Sequence, residues 1–354
     1  MPFLCLFIKN CCRDNAMSKA MKKIQVTIGL FILSTVLAVS NLAATEHRDP
    51  LPSWQEGASK QAIINFVNDV TKINSPNFVE KNARIATFDN DGTLWAEQPI
   101  YAQLMFAIER IYTLAPQYPQ WQTQQPFAKL LKGDVKGALS HNENAVNDIV
   151  MAANTGMTDE VYTHIVQQWF AKAKNPSTQQ LYSNMVYQPM LELIAYLQHN
   201  AFKTYIVSGG GIQFIRAWSE QVYAIPPEQV IGSTMKRSYQ HQGTKKIIMR
   251  EAEMDFYNNK NNKVIAINSH IGRRPIAAFG NSDGDMQMLN YVTDGKGAHL
   301  AMIIHHTDAK REWAYDRRSQ IGHLSEGLDK AKEKNWQIVD MKNEWKTIYP
   351  VIPK

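Results

Sequence analysis

Arg84-Ile85-Ala86-Thr87-Phe88-Asp89-Asn90-Asp91-Gly92-Thr93-Leu94 is the stretch that decides how this chain is read. A run of strand-forming residues stops at two carboxylates spaced i and i+2, followed by glycine. Residues two apart on an extended chain share a face. At the C-terminal end of a strand in an open α/β sheet, that face looks into the crevice where ligands bind. One aspartate can attack there while the other moves a proton. A calcium loop of the EF-hand type also begins Asp-x-Asp, but it needs glycine at its sixth position and glutamate at its twelfth. Leu94 and Ile100 stand there instead. A plain Asp-Gly surface turn is the remaining competitor.

Two further strand ends carry similar clusters. Thr204-Tyr205-Ile206-Val207 runs into Ser208-Gly209-Gly210-Gly211, a hydroxyl followed by backbone N–H groups, and is expected to open a helix. That is an anion site in form. A dinucleotide fingerprint fails because Phe214 occupies the third glycine position, and no Gly-x-Ser-x-Gly elbow makes Ser208 a nucleophile. Ile276–Phe279 precedes Gly280-Asn281-Ser282-Asp283-Gly284-Asp285, where packed oxygen side chains suit a hard cation such as Mg²⁺. Lys263 lies shortly upstream.

Strands alternating with helices argue for a parallel sheet. Before the first strand a helix is expected over Lys60–Val70. After it, residues 97–185 turn helical, with candidates Ile100–Leu114, Asn144–Asn154 and Asp159–Lys174, the last capped by Thr158. The α/β pattern resumes with a helix over Pro189–His199. A small hairpin over Val230–Met235 and Lys246–Arg250 follows, then strands His299–Ile304 and Ile338–Met341. The Asn/Lys patch 258–263 reads as a surface loop.

The chain has 354 residues, a formal charge of +6 and a hydrophobic fraction of 44%, enough for one large domain or two ordinary ones. Four of the six net charges fall in residues 1–44, so the rest gives no argument for a nucleic-acid partner. Lys22-Lys23, the apolar run Ile24–Val39 and the small residues 40–44 have the form of a secretory signal. Residues 1–44 are therefore expected to be a signal peptide, with Met17 and Met21 as alternative starts. The product would be exported, to a periplasm for instance, and meet a membrane only in transit. Cys5, Cys11 and Cys12 all precede the apolar run, which excludes a thiol nucleophile, a zinc–thiolate site or a disulfide framework beyond it.

With Asp89-Asn90-Asp91-Gly92-Thr93, Ser208, Lys263 and the 280–285 cluster in this order, the chain resembles the haloacid dehalogenase (HAD) superfamily. The similarity covers roughly residues 80–345 and is nearest to the phosphoserine-phosphatase-like branch with a helical cap. The resemblance implies a Rossmann-like parallel sheet core over 45–96 and 186–354, with the cap inserted at 97–185. It implies Asp89 as the nucleophile that becomes an aspartyl phosphate, and Asp91 as acid and then base. Ser208, Gly209 and Lys263 would bind phosphate. Mg²⁺ would be held by Asp89, Asp91, Asn281 and Asp285, with Asp283 as a third choice in its loop. The pattern departs at Asn281, where the family usually has aspartate. The implied activity is hydrolysis of a small phosphomonoester. A phosphotransferase or mutase would keep the same motifs. A dehalogenase would not need Asp91, and a non-catalytic periplasmic binding protein would not need Asp89, Asp91 and Lys263. His305 and His306 are softer candidates, since consecutive residues on a strand point opposite ways. Trp95, Glu97 and Gln98 open the inserted segment within reach of a substrate. Trp313 and Tyr315 read as helix packing.

Overall fold

A computed structural model describes residues 49–351. The chain divides into two units, Met1–Asp49 and Pro50–Lys354, and the described residues belong almost wholly to the second. The expected signal segment lies outside them. Among the described residues, no helix is long and apolar enough to cross a membrane.

After helix α1 (Ala58–Thr71), strand β1 (Ile85–Phe88) takes the centre of the sheet. It is paired in parallel with β2 (Lys203–Gly211) on one side and β5 (Ala277–Gly280) on the other. Outward from β2 come β3 (Val230–Gln242) and β4 (Lys245–Phe256), and outward from β5 come β6 (Leu300–Thr307) and β7 (Ala314–Tyr315), with β8 (Gln337–Asp340) also on β6. All pairings are parallel except β3–β4 and β6–β7.

The apolar strand runs are continuous because both faces of this sheet are covered. Side chains alternate between two cores. Phe88, Ile206, Phe279, Met302 and Ile304 face one cluster, shared with α1 and helix α5 (Gln188–His199). Val207, Ala278, Ala301 and Ile303 face the other, under helices α6 (Asn261–Ile271), α7 (Met286–Thr293) and α8 (Glu326–Lys334). Phe88 and Phe279 stack with centroids 4.5 Å apart, locking β1 to β5 directly beneath the aspartates.

Between β1 and β2 the chain forms α2 (Ala102–Leu114), α3 (Ala145–Asn154) and α4 (Asp159–Phe170). The first two, with the short turns between them, bury a third cluster around Ile108, Ile111, Trp121 and Ile149. Helix α4 instead packs through Tyr162, Trp169 and Phe170 into the first cluster. Its N-terminus is capped as expected, Thr158 Oγ1 accepting from Val161 N at 3.2 Å.

Several local expectations need correction. The run Ser208–Gly211 opens a helix as expected, with Gly211 as N-cap, but the run itself extends β2 and the helix is short, Ile212–Arg216. The β2–β3 register shifts between Val207 and Gly211, the bulge that glycines in a strand permit. The hairpin is far longer than expected, because its outer half is exposed and polar residues can pair across it without an apolar face. Lys236 meets Glu253 there at 2.8 Å. The 258–263 patch is no surface loop. Asn258 and Lys263 are buried and α6 starts at Asn261. Tyr315 sits in a short strand, not a helix.

Candidate functional site

Phe88 is the last residue of β1, yet Asp89 N still donates to Phe279 O at 2.9 Å, so the first aspartate leaves the sheet in register. The chain then turns on Asn90, whose carbonyl accepts from Thr93, Leu94 and Trp95. Gly92 has φ of +77°, a left-handed conformation that suits glycine. A Cβ there would lie 2.0 Å from Asn281 Nδ2 and 2.3 Å from Glu97 Oε1. The turn is thus shaped to let two side chains press against the backbone beside Asp91.

Asp89 is buried, and Lys263 in the first turn of α6 donates to its Oδ1 at 2.6 Å. The same ammonium donates to Asp285 Oδ1 at 2.6 Å and to Val207 O at 2.8 Å, which occupies all three of its hydrogens. Lys263 therefore fixes Asp89 and supplies positive charge. Burial and the neighbouring Asp285 push the Asp89 carboxyl up, against the pull of Lys263. Asp285 and Asp89 in turn keep the buried Lys263 ammonium above its ordinary value despite desolvation. Asp91 is also raised, chiefly by burial, while bonds from Trp95, Asn90 and Ser208 act in the other direction. Trp95 Nε1 donates to Asp91 Oδ1 at 2.8 Å, so this buried tryptophan orients the second aspartate. Ser208 is fully buried and its Oγ accepts from Gly210 N at 3.0 Å.

The 280–285 cluster divides its labour. Asp285 Oδ2 accepts from Asn281 N, Ser282 N and Ser282 Oγ, each at 3.0 Å. With Oδ1 on Lys263, both of its oxygens accept from protein donors. Asp283 is turned toward the start of α8, accepting from Ser325 N at 2.9 Å and Gly327 N at 2.8 Å. Asn281 donates from Nδ2 to Glu97 Oε1 at 2.7 Å and accepts on Oδ1 from Thr93 Oγ1 at 3.1 Å.

Which residues fit a Mg²⁺ ion follows from these bonds. No group of three or more His, Cys, Asp or Glu suited to a metal occurs among the described residues. A mixed oxygen set does occur. Asp89 Oδ1 has a lone pair left beside its one bond from Lys263, and the Asp91 carbonyl accepts no hydrogen bond among the described residues. Asn281 has a lone pair left on Oδ1, and its amide lies against the Asp91–Gly92 peptide. Carboxylate, carbonyl and amide oxygens are the donor chemistry of a hard cation. These three residues fit it, and Asp285, whose Oδ1 accepts only from Lys263, keeps a lone pair in the same cavity.

Asp89, Asp91, Gly209, Lys263 and Asp285 line one cavity of about 1100 Å³. Ser208 and Asn281 stand buried behind its wall. Leu104, Val150 and Met151 close it from the inserted helices, and Met235, Arg237 and Met254 from the β3–β4 hairpin. The hairpin's part in this cavity gave no signal in the sequence. Nor did Gln103, which accepts from Gly211 N at 2.7 Å and pins the glycine run. His305 and His306 separate as alternation requires. His305 is half-buried beside Asp316, while His306 is buried, with Nε2 2.7 Å from Gly92 O and Nδ1 3.1 Å from Glu312 Oε2. His306 braces the aspartate turn from behind and does not enter the cavity.

The model of the haloacid dehalogenase-like hydrolase family matches residues 86–290, which spans β1 through α7 and every cluster described above. The chain belongs to this family of HAD hydrolases. No curated protein sequence matches it. Among solved structures it is similar to a protein of unknown function from Anaerococcus prevotii. The two are 15% identical with a TM-score of 0.51, over 79% of this chain and 91% of the other. It is also similar to a phosphoserine phosphohydrolase-like protein from Francisella tularensis, at 16% identity and a TM-score of 0.36, over 62% and 87% of the two chains. The likeness to the Anaerococcus prevotii protein is one of fold.

Proposed function

We propose that this HAD hydrolase is a Mg²⁺-dependent phosphomonoesterase acting on a small phosphorylated metabolite through an aspartyl phosphate. The observation that carries the reading is the pair at the end of β1. Asp89 is clamped by Lys263 with one oxygen left over, and Asp91 is held apart from it by Trp95.

Asp89 attacks phosphorus with Oδ2 while Lys263 holds Oδ1, so the attacking carboxylate cannot rotate. The leaving alkoxide takes a proton from Asp91. A carboxyl raised by burial suits that donor, because it keeps its proton at higher pH than an exposed aspartate. Asp91 then accepts a proton from the water that hydrolyses the aspartyl phosphate, which returns both groups to their starting state. Gly209 at the widened end of β2 offers its backbone N–H to a phosphoryl oxygen, and Ser208, whose Oγ accepts from Gly210 N, steadies that turn. When bound by Asp89, the Asp91 carbonyl and Asn281, Mg²⁺ would offset the repulsion between carboxylate and phosphate. The helices of 97–185 act as a cap that, with the β3–β4 hairpin, encloses the leaving group.

The test is hydrolysis of p-nitrophenyl phosphate by the purified protein. Turnover is expected with Mg²⁺ and is expected to vanish with EDTA. Turnover that survives complete chelation would contradict the metal's role, and inorganic phosphate binding without any turnover would favour a binding protein.

A further inference from the structure

Glu97 is a buried acid that the mechanism above does not use. It is 2% exposed, and it lies beside two aspartates rather than beside a cation. Both of its protein bonds fall on one oxygen. Oε1 accepts from Asn281 Nδ2 at 2.7 Å and from Tyr315 Oη at 2.8 Å. Oε2 has no hydrogen-bond partner among the described residues, and Glu97 lines the same cavity as Asp89 and Asp91.

Its position is enforced from two sides. A Cβ on Gly92 would come within 2.3 Å of Oε1, and one on Gly322 within 2.0 Å. Both glycines have positive φ, +77° and +64°. Two separate turns, one from the β1 loop and one from the segment before α8, thus leave room for this carboxylate and nothing larger. A buried carboxylate with both protein bonds on one oxygen and the other open to the cavity is placed to meet a cation there.

The oxygen set around Asp89 lacks what Glu97 has. Asn281 and the Asp91 carbonyl are neutral, and Asp89 shares its charge with Lys263. We infer that Glu97 is a positioning and charge-supplying residue of the metal site. Through Oε1 it fixes the Asn281 amide with Oδ1 turned to the ion, and it contributes the negative charge that Asn281 does not carry. This rests on the Mg²⁺ reading of the site.

The experiment is a titration of Mg²⁺ into the metal-free full chain by calorimetry, paired with melting curves in EDTA and in Mg²⁺. Wild type, Glu97→Gln and the double variant Glu97→Gln/Asn281→Asp are compared. Wild-type protein that binds no Mg²⁺ would overturn the functional reading and this inference together. If wild type binds, Glu97→Gln is expected to weaken Mg²⁺ binding about tenfold or more. Its melting temperature in EDTA should be no lower than that of wild type, while the rise caused by Mg²⁺ shrinks. The double variant should recover the affinity, since the charge returns one residue away. Glu97→Gln that binds Mg²⁺ as wild type does, or that melts lower in EDTA with an unchanged Mg²⁺ increment, would show a merely structural acid and overturn the inference. Should Glu97→Gln fail to fold, a folded double variant that still binds weakly would overturn it as well.

Discussion

At Gly92 the backbone conformation and the site cannot be separated. Alanine there must adopt a φ of +77°, which costs about 1–2 kcal/mol in itself. It must also displace Asn281 and Glu97, whose side-chain atoms occupy the place of the new methyl. We expect Gly92→Ala to fold with reduced stability and to lose about 10²-fold or more in kcat, the usual consequence of moving reacting groups by an ångström. Steady-state kinetics beside a thermal melt check this, and a variant with wild-type kcat would refute the close packing at the turn. The sequence announced Asp89, Asp91, Ser208 and Lys263 because each follows or faces a strand end in a fixed order. It did not announce how their atoms are shared. That Lys263 spends every donor on protein oxygens depends on partners 22 to 174 residues away.

At the scale of elements, one acid ties α4 to both strands of the hairpin. Asp159, in the first turn of α4, accepts from Arg237 Nε on β3 at 2.7 Å and from Arg250 Nη1 on β4 at 2.8 Å. Arg250 also lies over the Tyr162 ring, 3.9 Å from its centroid. Burial alone would raise the Asp159 carboxyl, but bonds from Arg250 and Gln213 and the charge of Arg237 outweigh it and hold the group below its ordinary value. The sign follows. A folded-state value below the unfolded one stabilises the fold above about pH 4, and that contribution disappears as pH falls through the depressed value. Asp159→Asn should cost about 3 kcal/mol near neutral pH, because two guanidiniums lose their shared partner. The stability gap to wild type should narrow between pH 6 and pH 3. Urea unfolding at both pH values measures it, and an equal gap at the two would refute the ion-pair account. None of this was legible beforehand. Arg237 and Arg250 fall on strands whose outer halves are polar, so no hydrophobic alternation marked them as paired.

For the whole molecule, the sheet could be read from the sequence because its strands are covered on both faces and so appear as short, unbroken apolar runs. Ile85–Phe88, Ala277–Gly280 and Leu300–Thr307 lie within a residue or a few of their expected positions. Where the chain leaves that buried layer, the reading faltered. The glycine run kept to the strand, and the exposed hairpin doubled in length. Part of the inserted helical segment shares the main core through Trp169 and Phe170. The chemistry is placed by topology. β1 lies between β2 and β5, so three strand ends meet at one crevice, and the first turn of α6 brings Lys263 across to it. The most direct test of the central claim, that Asp89 is the nucleophile of a phosphatase, is to quench the enzyme in acid during turnover of a ³²P-labelled phosphomonoester with Mg²⁺ and locate the label by peptide mapping. We predict a hydroxylamine-sensitive phosphoryl group on the peptide carrying Asp89, absent from Asp89→Asn, which should also lose turnover. Full turnover by Asp89→Asn, or label on another residue, would contradict the account.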